Sequence, residues 1–295
     1  MESITGRDII TAQVALERLV RGIDAEGLCA LGAHVLIGED EATHRWAPDE
    51  RIDIESVAKG VAVLAAAIAH DEGVFDIDAP VARYLPDLAT GDGVDRVTIR
   101  HLLTMTSGID LPWTPTLYDD WPDLAREFLS RPSRGRVTQY ANASTYTAMR
   151  ALAAVVGDVR DWLAPRLFAP LGIDDVRWER CPRGWIRAAG GVFLRTEELA
   201  RIGRLIRDGG VWRGERIVSS GWIDAMHSEW IATGGSPGYE QYALAGWAGP
   251  GEAWRLHGAY GQLLVFAGDA VVTITADDHP GGLRMAELAV DAVSP

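Results

Sequence analysis

Apolar positions recur every three or four residues across 8–23, and again through Val57, Val61, Leu64, Ala65 and Ile68. That spacing puts them on one face of a helix, so both stretches predict helices. The first alternates with charge and is amphipathic. The second is alanine-rich, uncharged from Gly60 to Ala69, and stops near Gly73. Residues 33–38 and 43–46 read as a strand pair across a turn beginning at Gly38, and 51–55 as extended chain entering the second helix. From about 76 to 185 the pattern gives helices and loops, with helices over 99–104, 124–129, 144–156 and 159–167. Further helices are expected over 197–207 and 220–227. The pattern then changes to strands at 243–248, 253–257, 262–267 and 270–276, with a closing helix over 283–293. Strands at both ends with helices between them predict an α+β fold. One antiparallel sheet is assembled from both chain ends and flanked by helices, and a mainly helical region is inserted. The expected division is residues 1–75 with 186–295 as the sheet domain, and 76–185 as the helical region. A site belongs in the cleft between them.

Composition narrows the function. A chain of 295 residues can bury a full core unaided, and 47% hydrophobic residues argue against a disordered chain. The net charge of −14 disfavours a nucleic-acid partner. No run of about 18 uncharged apolar residues predicts a membrane span. The opening MESITGRDII lacks the basic and apolar segments of a secretory signal, so a cytoplasmic protein is expected. Cys29 and Cys181 are too few for a disulfide framework, although one bridge between them stays open. H-E-x-x-H, C-x-x-C and G-x-G-x-x-G are absent, so neither metal nor cofactor is expected. Asp277-Asp278-His279 precedes Pro280 and reads as a surface turn rather than a metal site. Ser107 lies in T-S-G, not in the G-x-S-x-G of a nucleophile elbow.

One feature of the charged residues is unusual. Of 28 basic side chains, Lys59 is the only lysine. Arginine carries charge as well but cannot act as a neutral base, because its guanidinium stays protonated. Lys59 also follows Ser56 by three residues, at the start of the alanine-rich helix. The two side chains then share a face, one turn apart. Free amides at a helix start can stabilise an oxyanion, and an amine beside a buried helix is desolvated toward a useful pKa. The competing reading is a capping serine beside a solvated lysine.

Ser56-Val57-Ala58-Lys59 fits S-x-x-K, VTIRHLLTMTSGI follows at 97–109, Tyr140-Ala141-Asn142 fits Y-x-N, and HGAYGQLLVF begins at His257. In this order the segments resemble the serine β-lactamase and penicillin-binding-protein-like superfamily, in particular its class C β-lactamase-like esterases and amidases. The resemblance covers about residue 33 to the end. It implies that Ser56 is the nucleophile of an acyl-enzyme and that Lys59 and Tyr140 share its proton transfers. It implies that Asn142 bonds the substrate or Lys59. The amides of Ser56 and Ala259 would form the oxyanion hole, with Gly258 and His257 at the substrate. Trp113, Tyr118 and Trp121 could line an acyl pocket. The third motif departs from K-T-G or H-x-G: aligned on Gly258, the chain has Leu256-His257-Gly258. The expected partner is a small ester or amide, and no prediction of oligomeric state follows. A transacylase of the same fold and a catalytically silent binding protein remain open.

Overall fold

The structure is a computed structural model that describes residues 10–111 and 123–294. Trp113, Tyr118 and Trp121 lie outside the described residues. Thr11 starts the first helix by accepting the Val14 amide at 3.3 Å. In chain order the elements are α1 (Ala12–Glu26), β1 (Ala30–Ile37), β2 (Asp40–Arg45), β3 (Ile52–Asp53) and α2 (Ala58–Asp71). There follow α3 (Ile99–Leu103), α4 (Leu124–Ser130), α5 (Asn142–Val156), α6 (Val159–Leu163), β4 (Arg177–Trp178) and β5 (Val192–Leu194). Next come α7 (Thr196–Arg207), β6 (Val211–Trp212), β7 (Glu215–Arg216), α8 (Ser220–Ala225) and β8 (Ile231–Ala232). The chain closes with β9 (Gln241–Tyr242), β10 (Trp247–Ala248), β11 (Trp254–Gly258), β12 (Gln262–Ala267), β13 (Ala270–Ala276) and α9 (Gly282–Val293).

The expected sheet from both chain ends is present. Its order is β2-β1-β13-β12-β11-β10-β9-β8, with antiparallel neighbours throughout. Successive strand residues point to opposite faces. Leu263, Val265, Val272 and Ile274 accordingly pack with α1 and α9, while Leu264, Phe266 and Val271 face the larger core around α2. Because both faces are covered, these strands are buried almost throughout and read as mainly apolar rather than alternating. Helix α2 is buried from Ala58 to Ala69, which explains its lack of a polar face. It lies so close to β11 that a Cβ on Gly60 would stand 2.4 Å from Leu256 Cδ1.

Four expectations change. The strand expected over 243–248 is broken by a tight turn between β9 and β10, with Ala243 N–H bonded to Gly246 O at 2.9 Å. Gly246 permits it, since a Cβ there would stand 2.1 Å from Met226 O. The helix expected over 159–167 stops at Leu163 and becomes a π turn over Ala164–Phe168. Pro165 has no amide to continue the helical ladder. A small sheet, β3-β5-β4, was not legible, and β4 falls inside the segment expected to be helical. Cys29 is exposed, Cys181 is buried against the Tyr146 hydroxyl at 3.2 Å, and both are free thiols. The turn reading of 277–279 holds: Asp278 accepts the amides of Cys29 and Gly281 at 3.0 and 2.9 Å.

Candidate active site

Ser56 sits in a 3₁₀ turn, Glu55–Val57, that runs directly into α2. Lys59 is the second residue of that helix and is 2% exposed. Its Nζ donates to Ser56 Oγ at 2.8 Å, to Asn142 Oδ1 at 2.9 Å and to the Ala189 carbonyl at 3.2 Å. It also lies 4.7 Å from the centre of the Tyr140 ring. Asn142 is the buried first residue of α5, and Tyr140 lies just before that helix. The Tyr140 phenol lies near enough to Ser56 for that hydroxyl to favour its ionised form. Two distant helix starts and a loop therefore converge on one serine. The capping reading of Ser56 fails, because its hydroxyl caps no helix amide and is engaged by a buried Lys59.

Burial sets the proton affinities. It pushes the Lys59 amine down from 10.5 to about 7, against the opposing pull of the Glu55 charge. That lowered value makes the free amine accessible near neutral pH, 2.8 Å from Ser56 Oγ. Burial pushes the Tyr140 phenol up to about 12, so it stays protonated. Glu55, before the serine, rises to about 7 through burial and the nearby Asp53 charge. Lys59 and Glu55 titrate as neighbours, so the observed midpoint belongs to the pair.

Gly258 and Ala259 lie against the serine turn. A Cβ on Gly258 would stand 2.6 Å from the Ile54 carbonyl oxygen and 3.0 Å from Glu55 Cβ. Only glycine lets the end of β11 approach so closely. The change Gly258→Ala must separate strand from turn, and displacements near 1 Å at a reacting centre cost on the order of 10²-fold in rate. We expect kcat/KM for a good substrate to fall by about tenfold or more, with the melting temperature lowered. Steady-state kinetics and a thermal melt check this.

The third motif is the clearest departure. Leu256 is 1% exposed and lies over Gly60, inside the core. Arg255 is fully buried on the opposite face. Its guanidinium donates to the carbonyls of Ala248 and Gly249 at 3.1 and 2.7 Å and to that of Gly238. Its Nε donates to His257 Nδ1 at 3.1 Å. His257 is thus held away from the Ser56–Lys59–Tyr140–Asn142 group, against Arg255 and the Tyr239 hydroxyl at 3.2 Å. Burial and the Arg255 charge push its imidazole down to about 3, so it is neutral. Sequence reasoning missed what surrounds Tyr140: Trp247 and Tyr242, with ring centres 5.3 and 5.7 Å away, and Tyr239 packed on Trp247 at 5.0 Å. It also missed the Ala189 carbonyl, which carries no side-chain signal.

A model of the beta-lactamase family matches residues 16–289. The chain belongs to the beta-lactamase family. A 6-aminohexanoate-dimer hydrolase of Paenarthrobacter ureafaciens is 30% identical over 209 residues, covering 61% of this chain and 52% of the relative. The chain thus spans about half the length of that curated relative. Among solved structures, a penicillin-binding protein homologue from Caulobacter crescentus superposes with a TM-score of 0.75 at 18% identity, over 99% of this chain and 100% of the other. A class C beta lactamase from Rhodobacter sphaeroides gives 0.73 at 19% identity, over 95% and 98%. These two show that the fold is that of the beta-lactamase family. No helix among the described residues is long and apolar enough to cross a membrane. Among the same residues no group of three or more His, Cys, Asp and Glu side chains could hold a metal.

Proposed function

We propose that this member of the beta-lactamase family is a serine hydrolase that cleaves a small ester or amide through an acyl-Ser56 intermediate. The observation that carries it is the buried Lys59 amine 2.8 Å from Ser56 Oγ, with the Tyr140 ring beside that amine. In the first step neutral Lys59 takes the Ser56 proton as Oγ bonds to the substrate carbonyl carbon. The oxyanion meets the amides of Ser56 and Ala259. The bond to the leaving group then breaks, and the leaving atom takes a proton through Tyr140, which Lys59 re-protonates. In the second step water gives a proton to the same pair and attacks the ester carbonyl; as the acyl–Oγ bond breaks, the pair returns that proton to Ser56 Oγ and the acid leaves. Amine and phenol suit these parts because one holds its proton weakly and the other strongly near pH 7. Asn142 and the Ala189 carbonyl orient the Lys59 amine.

The experiment is covalent labelling of the purified protein with a fluorophosphonate, followed by peptide mapping. Labelling at Ser56 is expected; its absence, with no turnover of any ester or amide, points to a silent binder. Product analysis with added amine separates hydrolysis from acyl transfer.

Substrate charge gives a sharper expectation. Neither Leu256 nor Arg255 is placed to meet a substrate carboxylate, since one is core and the other is saturated by backbone carbonyls. Losing a charge-assisted hydrogen bond weakens binding by about 1.5–3 kcal/mol, or roughly ten- to a hundredfold. Small uncharged esters or linear amides should therefore be turned over better than penicillins or cephalosporins. The relative named as a 6-aminohexanoate-dimer hydrolase supports an amide as the bond cleaved. Comparing kcat/KM for a short-chain p-nitrophenyl ester and a chromogenic cephalosporin checks this, and a larger cephalosporin value would reject it.

A further inference from the structure

Asp53 ends β3, three residues before Ser56, and takes no part in the chemistry above. Its backbone is paired with Phe193 of β5. Its Oδ1 accepts the Glu55 amide at 2.8 Å and the Gly191 amide at 2.9 Å, and Oδ2 lies 3.1 Å from the same Gly191 nitrogen. Both amides belong to segments that hold the reacting pair. Glu55 is in the left-handed region at φ 49, a conformation uncommon for a glutamate, and the chain turns there to present Ser56. Gly191 lies two residues after Ala189, whose carbonyl accepts from Lys59 Nζ at 3.2 Å. The next backbone contact joins the same segments, from Ile54 N–H to Val192 O at 2.9 Å.

We infer that Asp53 is a positioning residue: one carboxylate clamps the turn that presents Ser56 to the loop that orients Lys59, and so fixes their separation. The inference rests on the proposed acyl-Ser56 reading. Other charged groups around the carboxylate are Glu55, Glu179 and Arg187. A carboxylate that only balances the Arg187 charge would predict a different pattern of variants. For a clamp, acceptor geometry matters. The change Asp53→Asn keeps Oδ1, which accepts both amides at the shorter distances, and loses only the second contact of Oδ2 with the Gly191 amide, while Asp53→Glu keeps the charge but moves the acceptor by a methylene. For charge balance the order reverses.

The test measures the second-order rate of Ser56 labelling by a fluorophosphonate, with kcat and KM for a short-chain p-nitrophenyl ester and a thermal melt. Wild type and the variants Asp53→Ala, Asp53→Asn and Asp53→Glu are compared. Displacement of the reacting pair should lower labelling and kcat by about 30- to 100-fold in Asp53→Ala and Asp53→Glu, with KM within about threefold. Asp53→Asn should stay within about fivefold of wild type. If Asp53→Ala does not fold, the Asn and Glu variants carry the test. Labelling of Asp53→Glu within about threefold of wild type, or Asp53→Glu outperforming Asp53→Asn, overturns the clamp while leaving the acyl-Ser56 reading intact. A wild type that is not labelled at Ser56 overturns both.

Discussion

Replacing Ser56 with alanine is expected to abolish turnover and covalent labelling while leaving the protein folded. The nucleophile is the one atom that no neighbour can replace, so the loss should be at least about 10³-fold in kcat, with any residue due to binding and the amides alone. Stability should barely change. Ser56 does not cap α2, and the change removes only a half-buried hydroxyl bonded to Lys59. Net hydrogen bonds of this kind contribute about 1 kcal/mol, which moves the melting temperature by a few degrees in a chain of this size. Mass spectrometry after incubation with an activated ester gives the decisive readout. A Ser56→Ala protein that still acquires the acyl group on another residue, at a comparable rate, would remove Ser56 from the mechanism.

Lys59→Arg is expected to be nearly as damaging as Lys59→Ala. If Lys59 served only as a cation, arginine would substitute well. A neutral base is a different requirement, since guanidinium stays protonated at every usable pH. Loss of a positioned base typically costs about 10²–10⁴-fold. Arginine is also too large for a site that is 2% exposed and walled by Asn142 and the Ala189 carbonyl. The accompanying pH dependence has a definite sign. Burial lowers the Lys59 amine to about 7, so the free base grows as pH rises through neutrality, and kcat/KM of wild type should climb over the same range. Glu55, also near 7, favours the charged amine when ionised. Glu55→Gln should therefore move the rise to lower pH. Kinetics across pH 5 to 9 on a substrate with a pH-independent leaving group check both. A folded Lys59→Arg enzyme with a near-normal rate would refute the proposed base.

The sequence by itself determined the features set by local spacing. Ser56 and Lys59 stand one helical turn apart, and a helix that begins there must bring their side chains to one face; the structure places them 2.8 Å apart. The apolar period of 8–23 and the apolar runs of 262–267 and 270–276 likewise dictated a flanking helix and adjacent central strands, because burial on one face or on both marks those positions wherever the chain goes. Tyr140 and Asn142 became legible only through their resemblance to a known motif, since nothing local ties residue 140 to residue 59. Tertiary structure decided the rest. The Ala189 carbonyl and the amides of Glu55 and Gly191 have no side-chain identity for a sequence to display. The left-handed turn at Glu55 departs from that residue's ordinary preference; its amide is bonded to Asp53 and the end of β11 packs against it, contacts no local pattern displays. Strand alternation puts Arg255 on the face opposite Leu256, but only long-range packing seats its guanidinium on three backbone carbonyls. Such contacts join segments far apart in the chain, and their energies depend on where backbone and side chains meet after the sheet has closed, which no spacing along the sequence encodes.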